Sequence, residues 1–285
     1  MPAAVASSAL PYVALPVLEV GGVAIQTFAP IVLVGVLVGA DLMQRYAARQ
    51  GLTPAQFRAL LRWVLLGGFL GAHWVEILAY HPDRLRAEGP LLLLRLWDGL
   101  SSVGGFLGGA LAQLLFVRRH RLRHGVVFDS TGVGLVPAFT IGRIGCTLAH
   151  DHVGRATDFA LGVDYPRAEL VARGLGATLP PDTLIVRAHH LGMYELAYLL
   201  PLCALVYYLA FHRARALAPG QLAVLTTLLY MPVRLWLDGL RMAPTDPRYA
   251  GLTVGQWGAI TAIVAVTIVG ARTLHRAARS APPSA

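Results

Sequence analysis

Apolar residues in this chain run together instead of recurring at the period of a surface helix or a strand. Predominantly apolar stretches fall near 29–44, 61–80, 100–117, 126–149, 191–211, 219–240 and 253–271, each close to the roughly 20 residues a helix needs to cross a bilayer. Runs such as Ile31–Ala40 and Ala259–Ala271 lack the polar stripe that a soluble surface helix carries. The pattern predicts an all-α integral membrane protein with about seven transmembrane helices. One segment interrupts it. Residues 150–190 are polar and rich in Gly and Pro, which predicts a small extracytoplasmic head region within a single membrane-embedded domain spanning 1–285. The Ser/Ala/Pro-rich ends, 1–10 and 279–285, are expected to be short and flexible.

Composition strengthens this reading. With 56% hydrophobic residues, 14% charged residues and a mean hydropathy of +0.59, the chain is too apolar for a soluble domain of its length. All 24 basic residues are Arg, and they gather in alternate connections: Arg45, Arg49, Arg58 and Arg62; Arg118, Arg119, Arg121 and Arg123; Arg213 and Arg215; and Arg272, Arg276 and Arg279. Cytoplasmic loops collect such charge, so the N-terminus is expected outside and the C-terminus in the cytoplasm. A cleaved signal peptide is not expected, because no basic residue opens the chain. The net charge of +9 sits beside apolar spans, where anionic lipid headgroups explain it better than nucleic acid. Two cysteines, Cys146 and Cys203, suggest neither a disulfide framework nor a metal-ligand cluster. No metal or other cofactor is expected.

Charged groups within apolar spans are costly unless they meet a partner or a cavity, so they mark candidate sites. The topology places Arg143, in Gly142-Arg143-Ile144-Gly145, near the outer end of the fourth span. Tyr230, Arg234, Asp238 and Arg241 follow at steps of four, four and three residues in the outer half of the sixth, and therefore share one helical face. Phe28, His73, Glu76, Ser101, Gly104, Gly105, Tyr194, Glu195 and Gln256 fall at the same level. Two arginines at that depth suit a phosphate, because a guanidinium presents a planar fork of donors. The alternative is an internal ion pair with Asp151, Asp238 or Glu195. Arg241 reads as an interfacial anchor or as a partner of Asp238, and the glycine pairs read first as close helix packing.

At these residues the sequence resembles the bacterial prolipoprotein diacylglyceryl transferase family. Gly142-Arg143-Ile144-Gly145, then Asp151 and Gly154-Arg155, is similar to the family's Gly-Arg-x-Gly-Asn run, its acidic residue and its Gly-Arg. Asp98–Gly105, His189–Glu195, Tyr230–Arg234 and Gly251–Gln256 resemble further family blocks, in the family's order. The resemblance implies a seven-helix enzyme of the bacterial cytoplasmic membrane that moves diacylglyceryl from phosphatidylglycerol onto the lipobox cysteine of a prolipoprotein, whose signal peptide it must also hold. It implies catalytic roles for Arg143, Arg234 and Asp151. Substrate binding would fall to Gly104, Gly105, Gly142, Gly145, Gly154, Tyr194, Glu195, Tyr230, Asp238, Arg241 and Gln256.

Three positions depart from that pattern. Val103 stands where the family has its signature His, Phe28 where it has a Tyr, and Cys146 where it has an Asn. Valine cannot accept a proton. Either another base serves, with His150, His152 and His189 nearest in sequence, or the chain is a catalytically altered or silent paralogue that binds phospholipid or a protein partner. Cys146 reads as a small packing residue, with an unusual nucleophile as the alternative. A transporter is disfavoured, since no inverted repeat is seen.

Overall fold

The protein is described here from a computed structural model covering residues 10–13, 18–20, 23–25, 28–176, 179, 183–213, 217–242 and 246–280. Arg215, most of the N-terminal end and 281–285 lie outside the described residues, as do the side chains of Arg276 and Arg279. The helices are α1 (Phe28–Arg49), α2 (Pro54–Val75), α3 (Pro82–Glu88), α4 (Ser102–His120), α5 (His124–Ala149), α6 (Arg167–Ala172), α7 (Leu191–His212), α8 (Gln221–Gly239) and α9 (Val254–Ser280). The strands are β1 (Leu10–Pro11), β2 (Leu18–Val20), β3 (Val23–Ile25), β4 (Val153–Ala156), β5 (Val163–Pro166), β6 (Ile185–His190), β7 (Arg248–Tyr249) and β8 (Leu252–Thr253). A π-helical turn, Glu76–Tyr80, continues α2, and a 3-10 turn, Pro90–Leu94, precedes α4.

The chain is mostly helical, and each apolar stretch of the sequence holds one of the long helices α1, α2, α4, α5, α7, α8 and α9. Five of these are long and apolar enough to cross a membrane: Phe28–Arg49, Pro54–Tyr80, His124–Ala149, Leu191–His212 and Val254–Arg272. The other two, α4 and α8, are diluted by glycine and Arg118 with Arg119, and by Arg234 with Asp238. Helix starts follow local chemistry. Thr53 and Gln56 form a reciprocal capping box ahead of α2, with Pro54 at its first position. Thr253 and Gln256 do the same ahead of α9.

In hydrocarbon no hydrophobic drive brings helices together, so close contact depends on small side chains. Here α1 packs on α5 and α2 on α4 almost backbone to backbone. A Cβ at Gly35 would lie 2.7 Å from the Ala138 carbonyl oxygen, and one at Gly39 would overlap that of Gly134. Gly71 faces Gly104 and Gly108 in the same way, and Gly67 faces Gly108 and Ala112. A second device joins α5 to α8. Asp129, 2% exposed, accepts hydrogen bonds from the backbone N–H of Gly220 (2.6 Å) and Ala223 (2.8 Å), so a carboxylate of one helix caps the N-terminus of another.

Between α5 and α7 the segment at 150–190 forms a sheet of order β1-β5-β6-β4, with β1 parallel to β5 and the other pairs antiparallel. Along β6, Val186, Ala188 and His190 point inward at the two-residue period of a strand. Val186 and Ala188 join Val153, Tyr165, Leu170, Leu175 and Met242 in a separate small core. The sequence pattern did not anticipate this sheet, nor that Leu10 and Pro11 supply its edge strand. Leu91, Leu94 and Trp97, in the connection from α3 to α4, are 69%, 70% and 82% exposed.

Gly39→Leu and Gly71→Leu should each destabilise the folded protein by at least the 1–3 kcal/mol typical of overpacking (about that range), because the obstacle is backbone and cannot rotate away. Gly132→Ala, which meets nothing within 4 Å, should be neutral or stabilising. Thermal denaturation in detergent tests both, and leucine variants as stable as the parent would contradict the seams.

Candidate active site

The arginines and acids converge where α5, α7 and α8 meet. Glu195, one turn into α7, is 1% exposed and is shared by two guanidinium groups. Its Oε2 lies 2.9 Å from Arg143 Nε and 3.0 Å from an Arg234 terminal nitrogen, while its Oε1 accepts a short hydrogen bond from the Tyr230 hydroxyl. The Arg143 Nε–H is not aligned on that oxygen, so this contact is ionic and not a hydrogen bond. Asp238, one turn beyond Arg234, pairs with it at 3.0 Å and with Arg241 at 3.0 Å. Arg241 also reaches Asp246 at 2.8 Å, and Thr253 donates to Asp238. The four-residue step from Arg234 to Asp238 and the three-residue step on to Arg241, just past the end of α8, make this ladder possible, because each side chain reaches the next on one face. Gly255 is required where it is, since a Cβ there would fall on the Asp238 carboxylate.

The internal ion pairs weighed in the sequence reading are thus formed with Glu195 and Asp238. They do not exhaust the donors: a guanidinium carries five N–H groups, and these carboxylates engage only part of them. Isolated buried charges are strongly destabilising, whereas matched ones with satisfied oxygens are tolerated.

The end of α5 builds the second part of the site. His150 takes a left-handed conformation (φ 51°) and reverses the chain. The exposed carbonyls of the last turn are met by the head: His190 Nε2 lies 2.9 Å from Thr147 O, and Arg173 donates to His150 O (2.6 Å) and Ala149 O (3.2 Å). The reversal folds Asp151 and His152 back over the turn that carries Cys146. Arg143 donates to His152 Nε2 at 3.1 Å. Because arginine only donates, that nitrogen accepts, and the ring proton sits on Nδ1, which donates to Asp151. Burial pushes the Asp151 carboxyl up, but the His152 hydrogen bond and the Arg143 charge outweigh it and hold the acid below its usual value. Burial holds His152 below the usual imidazole range, against the pull of Asp151.

Cys146 corrects an expectation. The sequence suggested no metal-ligand cluster around either cysteine, yet the ligand-type atoms of Cys146, Asp151 and His152 all lie within 4.8 Å of one another. The cause is the turn at His150, which no cysteine spacing announces. Of the other histidines, His150 is fixed by Tyr165 (3.2 Å) and Val13 O (3.1 Å) and stacks on His190. His189 donates from Nδ1 to the Tyr194 hydroxyl at 3.2 Å, and that hydroxyl donates to Leu161 O at 3.1 Å.

The remaining positions divide by neighbourhood. Gly104 lies on the α2–α4 seam, and Gly105 is in ordinary contact beside it. Gly142 faces open space, whereas a Cβ at Gly145 would come within 2.9 Å of the Phe28 ring. Gly154 sits where β4 crosses the end of α8, with Leu240 O 2.8 Å from a would-be Cβ. Gln256 serves the α9 cap and donates to Leu235 O at 3.4 Å. Val103 packs against Gly258, one turn along α9 from the Gly255 that touches Asp238. Asp246 and Thr253 were not singled out in the sequence. Only their nearness to Arg241 and Asp238 reveals them.

Residues 16–272 match the family model for prolipoprotein diacylglyceryl transferase. Among curated proteins, the phosphatidylglycerol–prolipoprotein diacylglyceryl transferase of Gloeobacter violaceus is 27% identical over 79% of this chain and 81% of its own length. The proteins of that name from Tolumonas auensis and a Nostoc species are 26% and 29% identical, covering 87% and 94% of this chain and 91% and 92% of their own lengths.

Glu195→Gln should leave both arginines short of a counter-charge and cost about 3–5 kcal/mol, the range for breaking a buried pair, read as a fall in detergent melting temperature larger than that of Arg241→Gln. A second test concerns pH. Burial, then neighbouring His150, push His190 down from 6.5 to about 4. Between those values the unfolded chain binds a proton that the folded chain refuses. Stability should therefore be full above 6.5, decline as pH falls toward 4 and level off below, by about 1.4 kcal/mol per unit of separation. His190→Gln should flatten this slope, and a parent whose stability is unchanged across the window would refute it.

Proposed function

The chain belongs to the prolipoprotein diacylglyceryl transferase family, and from that membership we propose that it transfers diacylglyceryl from phosphatidylglycerol to the lipobox cysteine of prolipoproteins in the bacterial inner membrane. The observation that carries this reading is the meeting of Arg143 and Arg234 on one buried carboxylate, Glu195. Displacing a phosphate from a glycerol carbon leaves an anion behind, and preorganised guanidinium groups stabilise such an anion where water is scarce. Glu195, Tyr230 and Asp238 then act on the arginines, holding them ready.

The same reading extends to topology. All seven long helices span the membrane as one membrane-embedded domain, with the Arg-rich connections in the cytoplasm and the segment at 150–190 as an extracytoplasmic head. The N-terminus lies outside and the C-terminus inside. Leu91, Leu94 and Trp97 then sit at the outer headgroup layer, where aromatic and apolar side chains are favoured. Phosphatidylglycerol enters from the leaflet, and Gly142, Gly145, Gly154 and Tyr194 line the region between bundle and head where lipid and signal peptide meet.

Purified chain mixed with phosphatidylglycerol vesicles and a lipobox peptide should form the thioether-linked lipopeptide. Arg143→Ala and Arg234→Ala should each lower the rate by about 10²–10³-fold, with Lys a partial rescue because it lacks the fork. A folded parent that binds the vesicles but forms no product would replace this reading with the silent paralogue that Val103 and Phe28 suggest. For orientation, a reporter active only in the cytoplasm should work when fused after Arg279 and fail when fused near Asp182, itself outside the described residues. The opposite pair of results would invert the topology.

A further inference from the structure

Transfer to sulfur needs a thiolate, because the thiol itself is a poor nucleophile, and Val103, in the block that resembles the family's His-bearing one, has no group that can take the proton. The machinery around Arg143 and Arg234 explains the leaving group and not the attacking one. A separate cluster stands beside it. Cys146 Sγ is buried near the end of α5, with Asp151 and His152 folded over it and all three ligand-type atoms within 4.8 Å. The side chains of Asp151 and His152 are 37% and 20% exposed, so the cluster has a closed floor and an open roof.

We propose that Cys146, Asp151 and His152 bind a zinc ion, whose fourth coordination position takes and activates the thiol of the incoming cysteine. The role given to the ion rests on the transferase reading, but its binding does not. A sulfur, a nitrogen and an oxygen donor suit zinc better than magnesium or calcium, which prefer oxygen alone. Three protein ligands with one open position is the arrangement of catalytic zinc, and four are needed for a structural site. Zinc bonds of about 2.0–2.3 Å require donors about 3.3–3.7 Å apart, and the three donors now lie within 4.8 Å of one another, so side-chain shifts of about an ångström gather them round an ion, with Asp151 swinging off the His152 nitrogen it now bonds. The charges close as well: a divalent ion with the Cys146 thiolate and the Asp151 carboxylate is neutral, and Arg143 is already balanced by Glu195.

Bound on the side of His152 that now faces Asp151, the ion displaces the Nδ1 proton, and a neutral ring must then carry its proton on Nε2. That nitrogen no longer accepts from Arg143, so zinc binding frees an Arg143 N–H for a phosphate oxygen. In the reaction the substrate thiol gives its proton to water as its sulfur joins zinc. The sulfur electron pair then forms a bond to the terminal glycerol carbon of the diacylglyceryl group. The bond from that carbon to the phosphate oxygen breaks, its electron pair stays on the oxygen, and glycerol phosphate leaves beside Arg143 and Arg234.

The test uses the full chain in detergent, exposed to zinc sulfate, freed of excess by gel filtration and assayed by atomic emission. The parent should retain about one zinc per chain, as three protein ligands would hold. Cys146→Ala and His152→Ala should each retain less than about a tenth of that, and Cys203→Ala should match the parent. Cobalt in place of zinc should give a sulfur-to-metal charge-transfer band that Cys146→Ser abolishes, which identifies the sulfur independently of folding losses. No retained zinc, or equal retention in the Cys146 and Cys203 variants, would overturn the site. Chelation should abolish peptide transfer and zinc should restore it. A parent that holds zinc yet transfers equally well when stripped would overturn the thiol-activating role. One that holds zinc and never transfers would support the site and overturn the transferase reading.

Discussion

A guanidinium in a low-dielectric interior must have its charge matched, and in this protein a single carboxylate matches two of them. Glu195 can reach Arg143 and Arg234 together only if α5, α7 and α8 meet at one level. That requirement fixes the relative heights of three helices more strictly than apolar packing alone, which tolerates sliding. Asp129 reinforces it at the opposite end of α5 by capping α8. The two helices are therefore joined at both ends, through Glu195 of α7 at one and by the Asp129 cap at the other.

The head depends on the same helix. The last carbonyls of α5 would face a cost if left bare, and the residues that satisfy them, His190 and Arg173, belong to the sheet and to the segment after α6. Folding the head thus completes the helix, and completing the helix positions Asp151 and His152. Gly154 allows β4 to pass within contact distance of Leu240, which brings the head against the end of α8 that carries Asp238 and Arg241.

Much of this was legible in the sequence. Long apolar runs reveal the helices directly, and the four-residue steps from Tyr230 to Asp238 reveal a shared face before any neighbour is known. Glu195 was legible as a charge at the right level, although its double pairing was not, since that depends on the angle at which three helices meet. The sheet was hidden because its strands have two to six residues and one of them lies about 150 residues from its partner in the chain. The grouping of Cys146 with Asp151 and His152 was hidden for a different reason. It follows from a positive φ at His150, a conformation uncommon outside glycine and signalled by no neighbouring glycine.

The glycine seams described above have a mechanical consequence. Where two helices touch through their backbones there is no side chain left to rearrange, so the α2–α4 pair behaves as a single stiff leaf. Its attachments to α1, α5 and α9 are sparser and run through pliable side chains, among them Phe106 on Phe139 and Val103 on Gly258. Elastic compliance is consequently concentrated along the margins of that leaf. Lateral pressure from the surrounding bilayer would be relieved there by a small swing of the whole leaf, leaving both seams intact.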